Sequence, residues 1–186
     1  AMVVARAGLA AAAVGTKVYA IGGTQDDVTS LDATDEYDTA ANSWISRPIM
    51  ITPRRALAAA AVGGTVYAFG GLGGALNEAE AYDTVGNVWA PKAAMPTPRS
   101  NLAAAAVGGK IYVMGGNNGP LSAVNEEYDT VTNAWTARAP LPAARDCNAS
   151  ALRDNNLGLA QVCLEAWRQL APRDAASSSA QRRLAE

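Results

Sequence analysis

The sequence predicts an all-β fold built from three consecutive copies of one four-stranded unit. Two observations support this prediction. Four landmarks recur together every 45 to 48 residues, a period typical of repeat architectures. Each copy also carries a hairpin signal between two short apolar runs. The 186-residue chain is 49% hydrophobic and 17% charged, which is ordinary for a folded protein.

The landmarks keep constant distances from one another. Glycine pairs recur at intervals of 48 and 45 residues, and Tyr-Asp pairs recur at intervals of 45 and 46. A tryptophan follows each tyrosine by seven residues, and an arginine follows each tryptophan by ten. Four landmarks in one register exclude chance as an explanation. They are Gly22, Gly23, Gly70, Gly71, Gly115 and Gly116, then Tyr37, Tyr82 and Tyr128, then Trp44, Trp89 and Trp135, and finally Arg54, Arg99 and Arg145.

The first half of each copy is predicted to be a hairpin. In the second copy an Ala-rich run at 57–62 leads to Gly63-Gly64, and the β-branched and aromatic run 65–69 returns from that turn. The other copies place the same pattern at 9–14 and 17–21, and at 102–107 and 110–114. Alanine favours helix locally, but the repeated turn outweighs that preference. Small side chains suit strands near the axis of a radial array.

The second half of each copy is predicted to be a second hairpin. The glycine pair reaches positive φ without steric cost and frees the chain to turn. The segment from there to the tyrosine varies in length between 15, 12 and 13 residues, which marks it as a loop. A third strand then carries the tyrosine, a polar turn contains Asn42, Asn87 or Asn133, and the tryptophan begins a fourth strand. Four strands per repeat are typical of a propeller blade.

These residues resemble the kelch motif, in three copies over residues 6–145. The shared pattern is Arg, an apolar run, a Gly-Gly turn, Val/Ile-Tyr, a second Gly pair, Glu-Tyr-Asp and Trp. The resemblance implies a β-propeller whose motif residues are largely structural. It also implies a buried pairing of the motif arginine with the glutamate before the tyrosine. Glu36 and Glu127 fit that pattern, whereas Ala81 in the second copy departs from it.

The predicted blades span about 1–50, 51–96 and 97–142, and a fourth begins before residue 150. After Arg145 the landmarks stop. Residues 148–160 align with the first hairpin of a degenerate fourth repeat, and 159–170 show the apolar spacing of an amphipathic helix. The last segment, 171–186, is typical of a flexible tail. The region 151–186 is therefore expected to be a degenerate hairpin, a short helix and a tail.

Three blades do not close a ring, because propellers typically have about 4–8 blades. Three resolutions are open at this stage. The chain is a fragment of a longer propeller, two chains self-associate to complete the ring, or the C-terminal helix covers the open face.

Two sets of residues are candidates for binding. The positions after the motif arginines differ between copies, and the resemblance implies that such positions line the mouth of the central channel. The loops that follow the glycine pairs are the other candidate surface, because recognition is often carried by loops on a rigid scaffold. The first set is Arg55, Ser100 and Asn101, and the second is Asp26, Asp27, Asn77, Glu78, Asn117 and Asn118.

Composition excludes several classes of function. The net charge of −2 gives no basic field for nucleic acid. The absence of histidine removes the commonest general base and metal ligand, so no catalytic residue, metal or cofactor is expected. No apolar run approaches the ~20 residues of a membrane-spanning helix. The two cysteines, Cys147 and Cys163, do not form a disulfide scaffold, and their redox state and the compartment stay open.

The sequence predicts a non-catalytic binding scaffold for a protein or a glycan. Most kelch proteins are binding modules, and some are enzymes. One alternative is therefore part of a carbohydrate-active kelch enzyme, such as a sugar-acid epimerase. A truncated or non-functional gene product is the other alternative, because the motif ends abruptly after Arg145.

Overall fold

All regular secondary structure in the described part of the chain is β-strand. The computed structural model describes residues 2 and 4–146. Twelve strands form three four-stranded antiparallel sheets, each with its strands in chain order. The strands are β1 (Ala10–Val14), β2 (Lys17–Ile21), β3 (Thr34–Asp38), β4 (Ser43–Arg47), β5 (Ala58–Val62), β6 (Thr65–Phe69), β7 (Ala79–Asp83), β8 (Val88–Pro91), β9 (Ala103–Val107), β10 (Lys110–Met114), β11 (Asn125–Asp129) and β12 (Ala134–Arg138).

The predicted all-β blades are confirmed. Each sheet is one predicted repeat, and we call the sheets blades 1, 2 and 3. The predicted hairpin, helix and tail beyond Arg145 fall mostly on 147–186, which lie outside the described residues, as do both cysteines.

Each blade has two faces with different residues. In blade 1, Val18, Tyr37 and Trp44 lie directly opposite one another across β2, β3 and β4. The neighbouring row, with Tyr19 and Glu36, points to the other side because side chains alternate along a strand. We call the Tyr-Trp side the leading face and the other side the trailing face. The same rows recur in blades 2 and 3.

The hydrophobic core lies between successive blades. The trailing face of blade 1 packs against the leading face of blade 2, where the ring centroids of Tyr19 and Tyr82 are 5.7 Å apart. The trailing face of blade 2 packs against blade 3 in the same way, with the Phe69 and Trp135 rings 5.4 Å apart. Burial of aromatic area between blades is therefore what orients one blade on the next.

The Ala-rich first strands lie on the inside of the array. Strands β1, β5 and β9 are neighbours across the two blade junctions. Their small side chains allow three sheets to approach closely, which explains why alanine occupies strands despite its helical preference. The β1–β2 and β3–β4 turns of each blade lie together at one end. The β2–β3 loops and the segments between blades lie at the other, which we call the loop end.

Candidate functional site

The motif arginines are buried within the blades. Arg54 and Arg99 have 0% exposure. The Nη1 atom of Arg54 donates to the carbonyls of Gly70 and Glu78 at 3.1 and 3.0 Å. Arg99 donates in the same way to Gly115 and Val124, at 2.8 and 3.1 Å. Each guanidinium therefore fixes the two ends of its own β2–β3-type loop, and neither offers donors to a ligand.

The acidic partner of each arginine lies two residues before the motif tyrosine. Arg6 pairs with Asp35 at 2.6 Å, and Arg99 pairs with Glu126 at 2.6 Å. In blade 2, Arg54 pairs with Glu80 at 3.1 Å. The expectation that the partner is the residue directly before the tyrosine is corrected. Ala81 leaves the arginine pair of its blade intact, because residues 80 and 81 point to opposite faces of the sheet.

The glutamates directly before the tyrosines form a different cluster. Glu36 is buried and contacts Lys17 at 2.8 Å and Arg47 at 2.7 Å. Burial alone would raise the pKa of Glu36, but hydrogen bonds from Arg47 and Lys17 outweigh it and lower the pKa to about 2.

Blade 3 carries the same cluster on its trailing face. Glu127 contacts Lys110 and Arg138, each at 2.8 Å. The hydrogen bond from Arg138 is the main cause that lowers the pKa of Glu127 to about 2. These clusters are part of the blade structure and hold no group in a protonation state suited to proton transfer near neutral pH.

The glycine pairs lie at the junctions between blades. The N–H of Gly23 donates to the carbonyl of Arg54 in the next blade at 2.8 Å. Gly22 has φ +65°, and a β-carbon there would collide with that same carbonyl oxygen. Glycine is thus required both for its left-handed backbone and for the close approach of the next blade. Gly70 and Gly71 repeat this arrangement against Arg99, and Gly115 and Gly116 repeat its backbone geometry at Arg145.

The motif tyrosines and tryptophans hold turns and neighbouring segments. Each tyrosine hydroxyl donates to the asparagine five residues later, as in Tyr37 to Asn42 at 2.7 Å, and that asparagine has a positive φ. The indole of Trp89 donates to the carbonyl of Pro48 at 3.0 Å, in the segment that leaves blade 1. Trp135 donates to Ala93 at 2.8 Å in the equivalent place. Tyr82, Tyr128 and Trp89 are buried, so their ring faces are covered.

Arg145 takes the backbone position of Arg54 and Arg99 next to the glycine pair of blade 3. Its carbonyl accepts the N–H of Gly116 at 2.8 Å, as the carbonyls of Arg54 and Arg99 do for the preceding glycine pairs. Its side chain is only partly buried and donates to the carbonyl of Ala143 at 3.1 Å. Within residues 4–146 it has no acidic partner. The backbone role of the arginine is therefore present here without the buried ion pair of the three complete blades.

Backbone hydrogen bonds at the loop end join Gly8, Ala56 and Asn101, which stand two residues after Arg6, Arg54 and Arg99. The N–H of Ala56 donates to the carbonyl of Gly8, and the N–H of Asn101 donates to the carbonyl of Ala56, both at 2.8 Å. All three have φ between +52° and +60°. A backbone hydrogen bond thus links each blade to the next on the inside of the array. We call residues 7–8, 55–56, 100–101 and 146, together with the β2–β3 loops 24–33, 72–78 and 117–124 that they contact, the rim.

Arg55 spans the junction between blades 1 and 2 on the rim. Its Nη1 atom donates to the carbonyl of Val28 at 2.8 Å and to the hydroxyl of Ser30 at 3.0 Å. That hydroxyl donates to the carbonyl of Leu72 at 2.9 Å. The Nε and Nη2 atoms form no hydrogen bond or ion pair with the described residues and are not buried. Arg55 therefore fixes the loop of blade 1 while it keeps donors open to solvent.

Ser100 is placed differently from Arg55. It is 2% exposed, and its hydroxyl lies 3.3 Å from the side-chain oxygen of Asn117. The amide nitrogen of Asn117 donates to Asp146 at 2.6 Å. The buried Ser100 side chain thus supports the loop of blade 3 through Asn117, and the exposed residues of that loop begin at Asn118. Asn101 is half-buried next to it.

The loop of blade 1 presents two aspartates of different character. Asp26 accepts hydrogen bonds from the backbone N–H groups of Val28 and Thr29, at 2.9 and 2.7 Å. These backbone bonds hold the pKa of Asp26 well below its usual range. Asp27 is exposed and has φ +61°. Asp26 therefore shapes the loop, and Asp27 is a free carboxylate at its tip.

The loops of blades 2 and 3 also divide into supporting and exposed residues. The carbonyl of Asn77 accepts the N–H of Met95 at 2.8 Å, and the carbonyl of Glu78 accepts the N–H of Gly70 at 2.8 Å. Both residues are half-buried. Asn118 is exposed, and its N–H lies 3.3 Å from the carbonyl of Pro120. Of the predicted loop residues, the tips of blades 1 and 3 are the most accessible.

Sequence reasoning missed the exposed aliphatic residues of the loop end. Val28 and Leu121 lie in two of the rim loops with 74% and 54% of their surface exposed. Ile49 and Ile51, each 59% exposed, flank buried Met50 in the segment between blades 1 and 2. Single aliphatic residues inside polar loops show no periodicity. Their exposure is visible only when the folded chain is examined.

The described part of the chain has neither a metal-binding cluster nor a membrane-spanning helix. Residues 2 and 4–146 contain no group of three His, Cys, Asp or Glu side chains that could hold a metal ion. The same residues contain no helix of the length and apolarity needed to cross a membrane.

Comparison with known families identifies the class of protein. The profile of the KLHDC2/KLHL20/DRC7 Kelch-repeats domain matches residues 2–159 of this chain. The chain therefore belongs to the kelch-repeat family, and its blades are those of a β-propeller. No curated protein matches the sequence.

Proposed function

We propose that the chain is a non-catalytic scaffold that binds a protein ligand at the rim. The observation that carries the proposal is where the three repeats differ. Positions that hold the blades together recur, whereas the rim positions are Ala7, Arg55, Ser100 and Asp146 in succession. A repeated scaffold that varies at one end presents a specific surface there.

The chemistry of the rim favours a protein over a glycan. The loops 24–33, 72–78 and 117–124 contain no aromatic residue that could offer a ring face to a sugar. They do expose Val28 and Leu121 beside polar groups. Aliphatic contacts surrounded by polar groups are typical of protein interfaces.

Arg55 and Asp27 are the polar groups that we expect to contact this ligand. Arg55 has accessible donors and is already oriented by Val28 and Ser30, so little side-chain entropy is lost on binding. Asp27 offers a carboxylate at the tip of the neighbouring loop. A peptide segment with complementary charge and an apolar side chain fits such a surface.

The test is selection from a random-peptide display library, followed by calorimetry with the selected peptide. Asp27→Asn keeps a residue that tolerates positive φ and removes the charge, and Arg55→Ala removes the donors. We expect each to weaken binding about tenfold, which corresponds to about 1.4 kcal/mol. Val131→Ser is the matched control, since Val131 is 90% exposed at the opposite end.

Two results would contradict the proposal. One is peptide binding that the rim substitutions leave unchanged and Val131→Ser weakens. The other is binding confined to a glycan array, which would assign the rim to sugars. Nothing in the described structure favours the epimerase alternative, because Arg55 is directed towards the loop of blade 1 and Arg6, Arg54 and Arg99 are paired inside the blades.

A further inference from the structure

The outer faces of blades 1 and 3 are complementary to each other. The leading face of blade 1 carries Val18, Tyr37 and Trp44, which match Val66, Tyr82 and Trp89 of blade 2 row for row. In blade 2 these residues are buried, with 0%, 1% and 7% exposure. In blade 1 all three are only partly buried. The difference arises because blade 1 packs on the leading face of blade 2, whereas no described blade packs on the leading face of blade 1.

The trailing face of blade 3 copies the trailing face of blade 1. Tyr112 occupies the position of Tyr19, and the Lys110–Glu127–Arg138 cluster occupies the position of Lys17–Glu36–Arg47. Tyr19 is 3% exposed because it packs on blade 2, whereas Tyr112 is only partly buried.

The junction of blades 1 and 2 shows what a trailing face of this kind covers. There the Tyr19 ring meets the Tyr82 ring edge-on at 61°, and the Glu36 cluster lies beside the same tyrosine. The tyrosine and tryptophan of a leading face therefore accept a tyrosine with a Lys–Glu–Arg cluster, as those of blade 2 do. Within residues 4–146 the leading face of blade 1 is the one that packs against no other blade.

We infer that the trailing face of blade 3 in one copy docks on the leading face of blade 1 in a second copy. The contact is head-to-tail and would repeat the geometry of the blade 1–2 junction. Two copies related by a two-fold axis along the channel make this contact twice and close a ring of six blades. Six lies within the range of about 4–8 blades that propellers adopt, and a closed arrangement leaves neither face open. This inference does not depend on the ligand proposed for the rim.

The test is the molar mass of the full chain by light scattering over a concentration series. The dimer has twice the 19.1 kDa mass of the chain. Val18→Lys places a charge in the centre of the leading face and should convert the dimer to a monomer with an unchanged circular dichroism spectrum. Val131→Lys makes the same replacement at a distant exposed site and should leave the dimer intact.

A second variant tests the head-to-tail arrangement. Tyr112→Lys alters the trailing face and should also give a monomer. A mixture of the Val18→Lys and Tyr112→Lys chains retains one intact pair of faces and should form a mixed dimer that neither variant forms alone. If the substitution unfolds one variant, the other still reports on the same contact.

Three outcomes would overturn the inference. The first is a monomeric wild-type chain at all concentrations, which would mean that another segment covers the two faces. The second is a dimer that Val18→Lys leaves intact. The third is an assembly that grows beyond two copies with concentration, which would mean that the head-to-tail contact does not close.

Discussion

Blades 1 and 3 differ from blade 2 on the trailing face, above all at the position directly before the motif tyrosine. Blades 1 and 3 place Glu36 and Glu127 there, each held by a lysine and an arginine. Blade 2 places Ala81 there, 3% exposed in the apolar cluster shared with blade 3. The lysine position of that blade is Thr65.

The difference shows that the repeat accepts two complete solutions at this position. A buried carboxylate is tolerated when two cations contact it, and a small apolar residue is tolerated when aromatic rings surround it. A carboxylate without its cations would be costly, because burial of an unpaired charge is strongly unfavourable. Residues on neighbouring strands therefore change together from blade to blade.

All three blades share the buried arginine–carboxylate pair, whereas only blades 1 and 3 have the glutamate cluster. We expect the shared pair to contribute more to the free energy of unfolding than the cluster does. Arg99→Ala leaves Glu126 buried without its cation and frees the carbonyls of Gly115 and Val124. We expect a loss of about 3–5 kcal/mol in the free energy of unfolding, measured by urea denaturation. Arg145→Ala is the control and should cost less than about 0.5 kcal/mol, since that side chain forms no ion pair with residues 4–146. Equal losses would contradict the assignment.

We expect the next largest loss of stability when a glutamate is placed in blade 2 without the lysine that accompanies Glu36 and Glu127 in the other blades. Ala81→Glu buries a carboxylate beside Thr65, where blades 1 and 3 have a lysine, so the cluster lacks that cation and we expect a loss of about 3 kcal/mol. Lys92 already takes the place of Arg47 and Arg138, so Thr65→Lys adds the missing cation and Lys92→Arg restores the guanidinium. The triple variant should recover about half of the loss in the same denaturation experiment. No recovery would mean that shape, and not charge, decides this position.

Acid should weaken blades 1 and 3 more than blade 2. The pKa of both Glu36 and Glu127 is about 2 in the folded chain, against an ordinary value of 4.5. Between pH 5 and 2 the unfolded chain binds more protons, so the free energy of unfolding falls as the pH falls through this window. We expect roughly 2 kcal/mol per glutamate between pH 7 and 2.

The variant Glu36→Gln separates this contribution from that of the other carboxylates. It should reduce the stability at pH 7 and flatten the dependence on pH, and Glu127→Gln should do the same. Urea denaturation at a series of pH values measures both effects. A dependence as steep as that of the wild type in both variants would refute the assigned role.

The smallest expected effect concerns the tryptophans, which should be equivalent at the two junctions. Trp89→Phe removes the bond to Pro48, and Trp135→Phe removes the bond to Ala93. Each should cost about 1 kcal/mol, because a partly buried carbonyl loses its donor, and Trp89 also loses its bond to the hydroxyl of Thr34 at 3.2 Å. Similar losses would show that this link between blades does not depend on the charge of the trailing face. Val88→Ala, at a 54% exposed site, is the control.

Much of the fold could be predicted from the sequence because its signals are local. The turn at Gly63-Gly64 and the Tyr-to-Asn spacing lie within a few residues. The predicted bounds of the two strands of each first hairpin lie within one residue of the observed ones, and the third and fourth strands carry the tyrosine and tryptophan as predicted. The candidate site was less predictable. Arg55 and Asp27 proved accessible on the rim, whereas Ser100 is buried and Glu78 uses its backbone inside the blade. Adjacent loop positions differ in exposure for reasons that lie in the neighbouring blade.

The sequence by itself determined the repeat, the hairpins and the positions that must be glycine, because these depend on backbone conformation over short distances. Only the tertiary structure decided which side chains meet. The partner of Arg99 is 27 residues away on another strand, and Ser30 reaches Arg55 across a blade junction. Such pairs depend on which face of a sheet each residue occupies and on how one blade rests on the next. The spacing of residues along one sequence does not reveal which side chains meet in this way.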